Sequence, residues 1–350
     1  MKSPGGFWAL ASVTLVLPSL AVIAALALAA CGGSGSTAAS LQSATTTSPL
    51  TAASPATTPS AASDPAQVAR TESVVRALMS AWNNAWSAKR DRRAQSSLYA
   101  DDVQYYDAAA IDTVITKSDI DAMIQDPAWW KAFRWTLTSS FVSADGRFAA
   151  TLGRIALRDE SGDLPWQPAV SVLAVANDKI VWECDYWGGE PGVAGQTTPM
   201  LAVPSGALAP GSPAVLTAIA EATATIEQWL AAYNGRDAAS FLASYAEKAR
   251  YVDVVSPRWR TMTKSQLAAA VASLFARTEF QSKLEPSPGS PMDASFFVSA
   301  DGRFAAVQGT YVDRGTPPGG FPMLIVLELR AGQIIRQYNF VAMDRSLLEP

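Results

Sequence analysis

Phe141-Val-Ser-Ala-Asp-Gly-Arg-Phe-Ala-Ala150 recurs letter for letter as Phe297-Val-Ser-Ala-Asp-Gly-Arg-Phe-Ala-Ala306. Ten identical residues at an offset of 156 mark a tandem duplication of a domain-length segment, not a solenoid, which needs more and shorter units. Upstream, the match continues at an offset of 146 to 147, pairing Trp82 with Trp229, Trp86 with Tyr233, Tyr99 with Tyr245, Tyr105 with Tyr251 and Asp107 with Asp253. Thr116-Lys-Ser pairs with Thr263-Lys-Ser in the same way. The change of offset places an insertion of about nine residues in the second copy, at Leu284 to Ala294, where three prolines mark a loop.

Each copy opens with Ala-rich, helically spaced apolar residues, over Val74 to Ala88 and Ala214 to Asn234. A second helix is predicted at Arg92 to Tyr99 and Ala238 to Tyr245, then a strand at Val103 to Asp107 and Ala249 to Asp253. Thr116 and Thr263 are N-cap signals for a third helix, over Asp119 to Ile124 and Gln266 to Phe275. The rest reads as a meander of strands turned by Ala-Asp-Gly, by Asn177-Asp-Lys and by Ala331-Gly-Gln. Its strands are Phe148 to Leu157 with Phe304 to Val312, Ala169 to Ala176 with Met323 to Leu329, and Ile180 to Tyr186 with Ile334 to Val341. Helices first and strands afterwards is an α+β plan.

Outside the repeats, an apolar stretch from about Phe7 to Ala30 follows Lys2 and ends at Leu28-Ala-Ala-Cys31. It is read as a secretory signal, residues 1–30, in preference to an uncleaved membrane helix of similar length, because Cys31 is followed by Gly32-Gly33 and a polar tail. The segment resembles a bacterial lipoprotein signal, which implies a diacylglycerol on Cys31 and a position on the outer face of a membrane. Residues 31–65 are then the lipidated cysteine and a disordered Ser/Thr/Ala/Pro tether, too poor in apolar surface to fold. The first domain is assigned to residues 66–188, a Gly/Pro-rich linker to 189–213 and the second domain to 214–350.

Composition removes several function classes. A net charge of −4 offers no basic field for nucleic acid. There is no histidine, so Ser-His-Asp and Cys-His nucleophiles and His-containing zinc sites are absent, and acid–base work falls to Asp, Glu, Tyr or Lys. Cys184 is the only cysteine besides Cys31, reads as a buried strand thiol, and leaves no partner for an intrachain disulfide once Cys31 is lipidated. Neither a phosphate-binding glycine loop nor a metal-ligand spacing is present, and no cofactor is expected.

The order of opening helix, Asn-Gly-Arg-Asp (234–237), Ser-Tyr-Ala-Glu-Lys-Ala-Arg-Tyr-Val-Asp (244–253), Thr-Lys-Ser helix and closing strand after Ala-Gly-Gln-Ile-Ile-Arg resembles SnoaL-like domains of the nuclear transport factor 2-like superfamily. Leu-Tyr-Ala-Asp-Asp-Val-Gln-Tyr-Tyr-Asp (98–107) and Asn-Asp-Lys-Ile-Val-Trp-Glu-Cys-Asp-Tyr-Trp (177–187) carry the same resemblance in the first copy. It implies two tandem cones, each a strongly curved, mostly antiparallel sheet wrapped around about three N-terminal helices. It gives little about function, since that superfamily holds isomerases, cyclases, dehydratases and plain binding modules.

The resemblance also nominates residues. Asp107 and Asp253 stand where ketosteroid isomerase, a related cone, carries its proton-shuttling base. The two donors that hold the oxyanion in that enzyme have no equivalent, since Trp82 and Trp229 replace a tyrosine and apolar residues near Val170 and Leu324 replace an aspartic acid. The alternative role for Asp107 and Asp253 is to cap a strand end or to make a polar ligand contact. Asp185, aligned with Asn339 of the second copy, is a further acid–base candidate, or a plain hydrogen-bonding residue. On its strand, Trp182, Cys184 and Tyr186 share one face and Glu183, Asp185 and Trp187 the other, and only one face is expected to lie inside. Eight of the eleven tryptophans fall in the first domain, which suits an aromatic-lined cavity for an apolar ligand. Contacts are expected from Trp82, Trp86, Tyr105, Asp107 and Trp182 in the first cone and from Trp229, Tyr233, Tyr251 and Asp253 in the second.

Three readings follow. One is a membrane-anchored extracytoplasmic lipoprotein that binds a small apolar ligand or a partner protein without catalysis. Another is an isomerase, cyclase or dehydratase using a cavity Asp. In the third, the two cones pack as an intramolecular pseudo-dimer, which predicts a head that is monomeric in solution.

Overall fold

A computed structural model of the chain describes residues 64–85, 91–108, 114–126, 133–159, 162–163, 167–187, 211–253, 260–278, 280–286, 290–292, 294–312 and 320–341. The signal, Cys31 and nearly all of the tether lie outside the described residues. Among the described residues, no helix is long and apolar enough to cross a membrane.

The first repeat comprises α1 (Pro65–Asn84), α2 (Arg92–Ser96), β1 (Tyr99–Asp107), β2 (Val114–Ile115), α3 (Lys117–Gln125), β3 (Phe133–Val142), β4 (Phe148–Asp159), β5 (Gly162–Asp163), β6 (Gln167–Ala176) and β7 (Lys179–Trp187). The second comprises α4 (Pro213–Asn234), α5 (Ala238–Ala243), β8 (Tyr245–Asp253), β9 (Arg260–Thr263), α6 (Lys264–Phe275), β10 (Phe296–Val298), β11 (Phe304–Tyr311), β12 (Phe321–Arg330) and β13 (Gln333–Val341). Its sheet runs β10-β11-β12-β13-β8-β9, and the first runs β3-β4-β6-β7-β1-β2 in the same order, with β5 added beside β4. Among the described strands, only the β1–β7 and β8–β13 pairings are parallel. The fold is therefore α+β, with two helix-backed, mostly antiparallel sheets.

Helix α1 starts at Pro65, earlier than the apolar periodicity indicates, because Asp64 caps it from outside and proline is well placed in a first turn. Val68, Thr71, Val75, Leu78 and Trp82 form its buried stripe, and Val215, Ile219, Ala222, Ile226, Trp229 and Tyr233 form that of α4. The second helices end sooner than predicted. Tyr99 and Tyr245 have already joined the sheet there, paired with Ile180 and Ile334, and a register break before Gln104 and before Arg250 lets each strand resume its pairing. Thr116 and Thr263 both close capping boxes.

The insertion falls on an edge strand. Asn83 both donates to and accepts from the backbone of Leu137, and Asn234 holds Leu284 by the same two bonds. Beyond Leu284 the second repeat departs from a continuous strand, and its edge is divided between an isolated Lys283–Thr310 bridge and the three-residue β10. An edge strand tolerates this interruption because its outer side forms no ladder.

The duplicated decapeptide explains its own identity. Gly146 and Gly302 turn the two hairpins at φ of +71° and +70°. A Cβ there would sit 2.5 Å from the Val68 nitrogen of α1 and 2.6 Å from the Ala218 carbonyl carbon of α4, so each turn lies directly on its own opening helix. The same segments also meet each other. The Ala144 amide donates to Val298 and the Ala300 amide to Val142, while Ser143 and Ser299 form a bridge. Ala144 packs on Val215 and Ile219 of α4, and Ala300 packs against the cluster that contains Val68 of α1. In a two-fold contact each residue faces its own counterpart, so both copies are held to one sequence.

Both repeats fall in one unit of the chain, and their sheets pack face to face. Phe141 stacks on Phe304 at 5.5 Å and Phe148 on Phe297 at 5.9 Å, within a shared core that includes Val172, Trp182, Cys184 and Tyr186 from one sheet and Val326, Tyr338 and Phe340 from the other. Gln308 Nε2 donates to the Tyr186 hydroxyl at 3.1 Å across this layer. Along β6, Ala169, Leu173 and Val175 face the helices whereas Val170, Val172 and Ala174 face the other sheet. Both faces of β7 are consequently buried, but only one of them enters the cone, as the alternation requires. Trp182, Cys184 and Tyr186 enter the inter-repeat core, and Glu183 and Asp185 point into the cone.

Candidate functional site

In the first cone, five polar side chains are threaded through an apolar interior. Tyr99 and Tyr105 come from β1, Glu183 and Asp185 from β7, and Ser171 from β6, where it lies opposite Asp185. Parallel register sets Tyr105 beside Glu183 and Asp107 beside Asp185. Period two therefore aims all four toward the helices. From α1 and β3, Trp82 and Trp135 close the other side with ring centroids 5.8 Å apart.

Glu183 and Asp185 are 3% and 1% exposed, and among the described residues neither forms an ion pair with Lys or Arg. Burial raises the Glu183 carboxyl to about 7, against hydrogen bonds to Tyr99, Asp185 and Ser171 that favour the carboxylate. Burial also pushes Asp185 well above the carboxylate range, helped by the adjacent charges of Glu183 and Asp107. Two contacting carboxyl groups in such surroundings share a proton. Tyr105 donates its hydroxyl proton to Asp185 Oδ2. Burial and the two acids hold Tyr99 and Tyr105 firmly protonated, so both serve as donors. Among the described residues, two carboxyl oxygens, Glu183 Oε2 and Asp185 Oδ1, have no hydrogen-bond partner. Leaving such atoms unpaired in a dry interior is costly. Glu183 also lines, with Leu78, Trp82, Trp135, Leu137 and Ser171, a crevice too narrow to admit a water molecule.

The second cone has the same scaffold with neutral chemistry. At the positions of Glu183 and Asp185 stand Gln337 and Asn339, in the same register beside Tyr251 and Asp253. Ser171, opposite Asp185, is matched by Ile325, opposite Asn339. Here the chain of bonds closes. Trp229 Nε1 donates to the Tyr245 hydroxyl at 2.9 Å, Tyr245 donates to Gln337 Oε1, Gln337 Nε2 donates to Asn339 Oδ1 at 2.7 Å, and Asn339 Nδ2 donates to Tyr251. An amide supplies a donor and an acceptor together, which is what a linear array needs.

The residues proposed from sequence separate into four groups. Trp82, Tyr105 and Asp185 meet in the first cone, with Asp107 half-buried at the end of β1. Trp182 is not with them, since it packs on Tyr106 in the layer between the sheets. Trp229 and Tyr233 are buried in an aromatic cluster with Phe241, Phe275 and Phe280, and Tyr251 is half-buried on Asn339. Trp86 and the side chain of Asp253 lie outside the described residues. Glu183, Tyr99, Trp135 and Ser171 escaped selection from sequence. The paired exchange of acid for amide between repeats, Glu183 with Gln337 and Asp185 with Asn339, was the available signal.

No family model matches the chain, and no curated protein matches it. Similar solved structures include a hypothetical protein with a ketosteroid isomerase-like fold from Catenulispora acidiphila in complex with trimethylamine, at 19% identity, 31% of this chain, 83% of that chain and a TM-score of 0.25. A Mycobacterium tuberculosis protein in complex with estradiol-17beta-hemisuccinate shares 20% identity over 33% of this chain and 92% of its own, with a TM-score of 0.28. A protein from Mesorhizobium loti, described as NTF2-like and of unknown function, shares 17% identity over 35% of this chain and 94% of its own, with a TM-score of 0.29.

Proposed function

We propose that this chain is a lipid-anchored extracytoplasmic protein of the nuclear transport factor 2-like superfamily whose first cone binds a small, mainly apolar ligand, while the second cone acts as its packing partner. One observation carries this reading: the buried, unpaired acid oxygens and the crevice beside them belong to the first cone, whereas the matching array in the second is satisfied internally. A site that leaves carboxyl oxygens unpaired among Leu and Trp side chains is specific for a ligand that brings the missing partner. The ligand enters as the crevice walls part, since the closed crevice excludes even water. Cys31 carries the anchor and the Ser/Thr/Ala/Pro segment gives the head its reach.

The test is native mass spectrometry of the full chain, extracted from membranes in mild detergent. The reading expects a copurifying small molecule that is lost in Trp82→Ala or Glu183→Gln and kept in Gln337→Ala. Retention of the molecule by both first-cone variants would overturn it. The anchor is tested by the mass added at Cys31, and Cys31→Ser should release the protein from the membrane fraction.

A second reading, proton transfer on a bound substrate, is favoured by the position of Glu183 near 7, where a carboxylate is a usable base. Turnover of the copurified molecule, lost in Glu183→Gln while binding persists, would establish it.

A further inference from the structure

Resting on the reading that the first cone takes a ligand, we infer that the ligand presents a protonated amine to Glu183 and Asp185, on an apolar body that lies against the contacting pair Trp82 and Trp135. Among the described residues, two carboxyl groups converge here without a basic side chain beside them, and each keeps one oxygen unpaired. An ammonium group supplies donors to both oxygens at once and compensates charge that the interior otherwise suppresses by holding a proton. Trp82 and Trp135 line the same crevice and favour the same occupant, because an aromatic ring attracts a cation most strongly where water is excluded. A carboxylate or phosphate ligand would meet Glu183, Asp185 and the nearby Asp107, and is rejected. A neutral alcohol would gain one hydrogen bond and leave the charge uncompensated.

The groups that face the pair are few. Tyr99, Tyr105 and Asp107 approach from β1, while α1, β3 and β6 present Leu78, Trp82, Trp135, Leu137 and Ser171, none of which titrates. Cys184 faces the other way, into the inter-repeat core. Binding the ammonium group ionises both acids and expels the proton they share, so affinity rises with pH as long as the amine stays protonated. The second cone presents amides at the same two positions and has no such preference.

The experiment is isothermal titration calorimetry of the full chain in detergent with three matched probes: phenethylamine, phenethyl alcohol and phenylacetate. Phenethylamine is expected to bind at least about tenfold tighter than the alcohol, with no phenylacetate binding. Its heat is expected to vary with the ionisation enthalpy of the buffer, reporting about one proton released, and its affinity to rise between about pH 6 and about pH 8. The double variant Glu183→Gln/Asp185→Asn copies the amides with which the second cone folds, and is expected to lose the preference for amine over alcohol. Alcohol bound as tightly as amine, or an amine preference surviving in the double variant, would overturn the cationic ligand and leave the first-cone ligand site standing. Binding of none of the three probes would overturn both.

Discussion

The two cones share helices, sheet order, register, turns and capping boxes, yet differ in the chemistry of one strand. Glu183 and Asp185 of the first become Gln337 and Asn339 of the second, and with that exchange a proton-sharing array with two unpaired oxygens becomes a satisfied chain of hydrogen bonds. The second cone shows that the scaffold can satisfy these positions internally. The unpaired acid oxygens of the first are therefore not forced by the fold, and the proposed ligand site rests on that difference.

The largest effect that would probe this comparison lies where the repeats are the same. Gly146→Ala and Gly302→Ala each press a methyl group onto the opening helix at positive φ, and each is expected to cost about 4 kcal/mol, read as a lowered denaturation midpoint. Unequal losses would show that the two turns carry different loads. Next, Gln337→Glu turns a donor into an acceptor beside Asn339 Oδ1, and is expected to cost roughly 2–4 kcal/mol near neutral pH, with recovery in acid as the new carboxyl is protonated. An unchanged melting temperature would mean that the second cone tolerates the first cone's chemistry.

The reverse exchange should stabilise. Glu183 holds its proton up to about 7 in the folded state, against an ordinary value of 4.5, so between these limits the folded chain binds a proton that the unfolded chain has released. Stability accordingly declines as pH rises through that window. Glu183→Gln removes this residue's share of the dependence, and its gain should grow from nothing near pH 4.5 to roughly 3 kcal/mol above pH 7, followed by urea denaturation across pH. A flat difference across that range would show that Glu183 is ionised throughout. Smallest are the capping boxes, where Thr116→Ala and Thr263→Ala should each cost about 1 kcal/mol and by the same amount.

How far the sequence could be read depended on the range of the interaction. The opening helices announced themselves through stripes such as Val215, Ile219, Ile226 and Trp229, and Thr116 and Thr263 through their capping signals, because these depend on neighbours within a few residues. The second helices were overextended because Tyr99 and Tyr245 are drawn into the sheet by Ile180 and Ile334, far along the chain. Asp185 could be nominated from the repeat alignment. Its companion Glu183 could not be separated from an ordinary solvated strand acid until β7 was seen covered on both faces.

By itself the sequence determined the duplication, the α+β plan, the place of the insertion, the absence of histidine chemistry and the turn at each Asp-Gly-Arg. All of these are properties of composition, spacing or local backbone preference. Only the tertiary structure decided that the sheets pack on one another, that Trp182 belongs to that layer, and that Glu183 and Asp185 converge with Tyr99, Tyr105, Trp82 and Trp135. The reason is physical. Burial on both faces of a strand, and the loss of solvation that makes a carboxyl hold its proton, arise from segments distant in sequence and have no local signature.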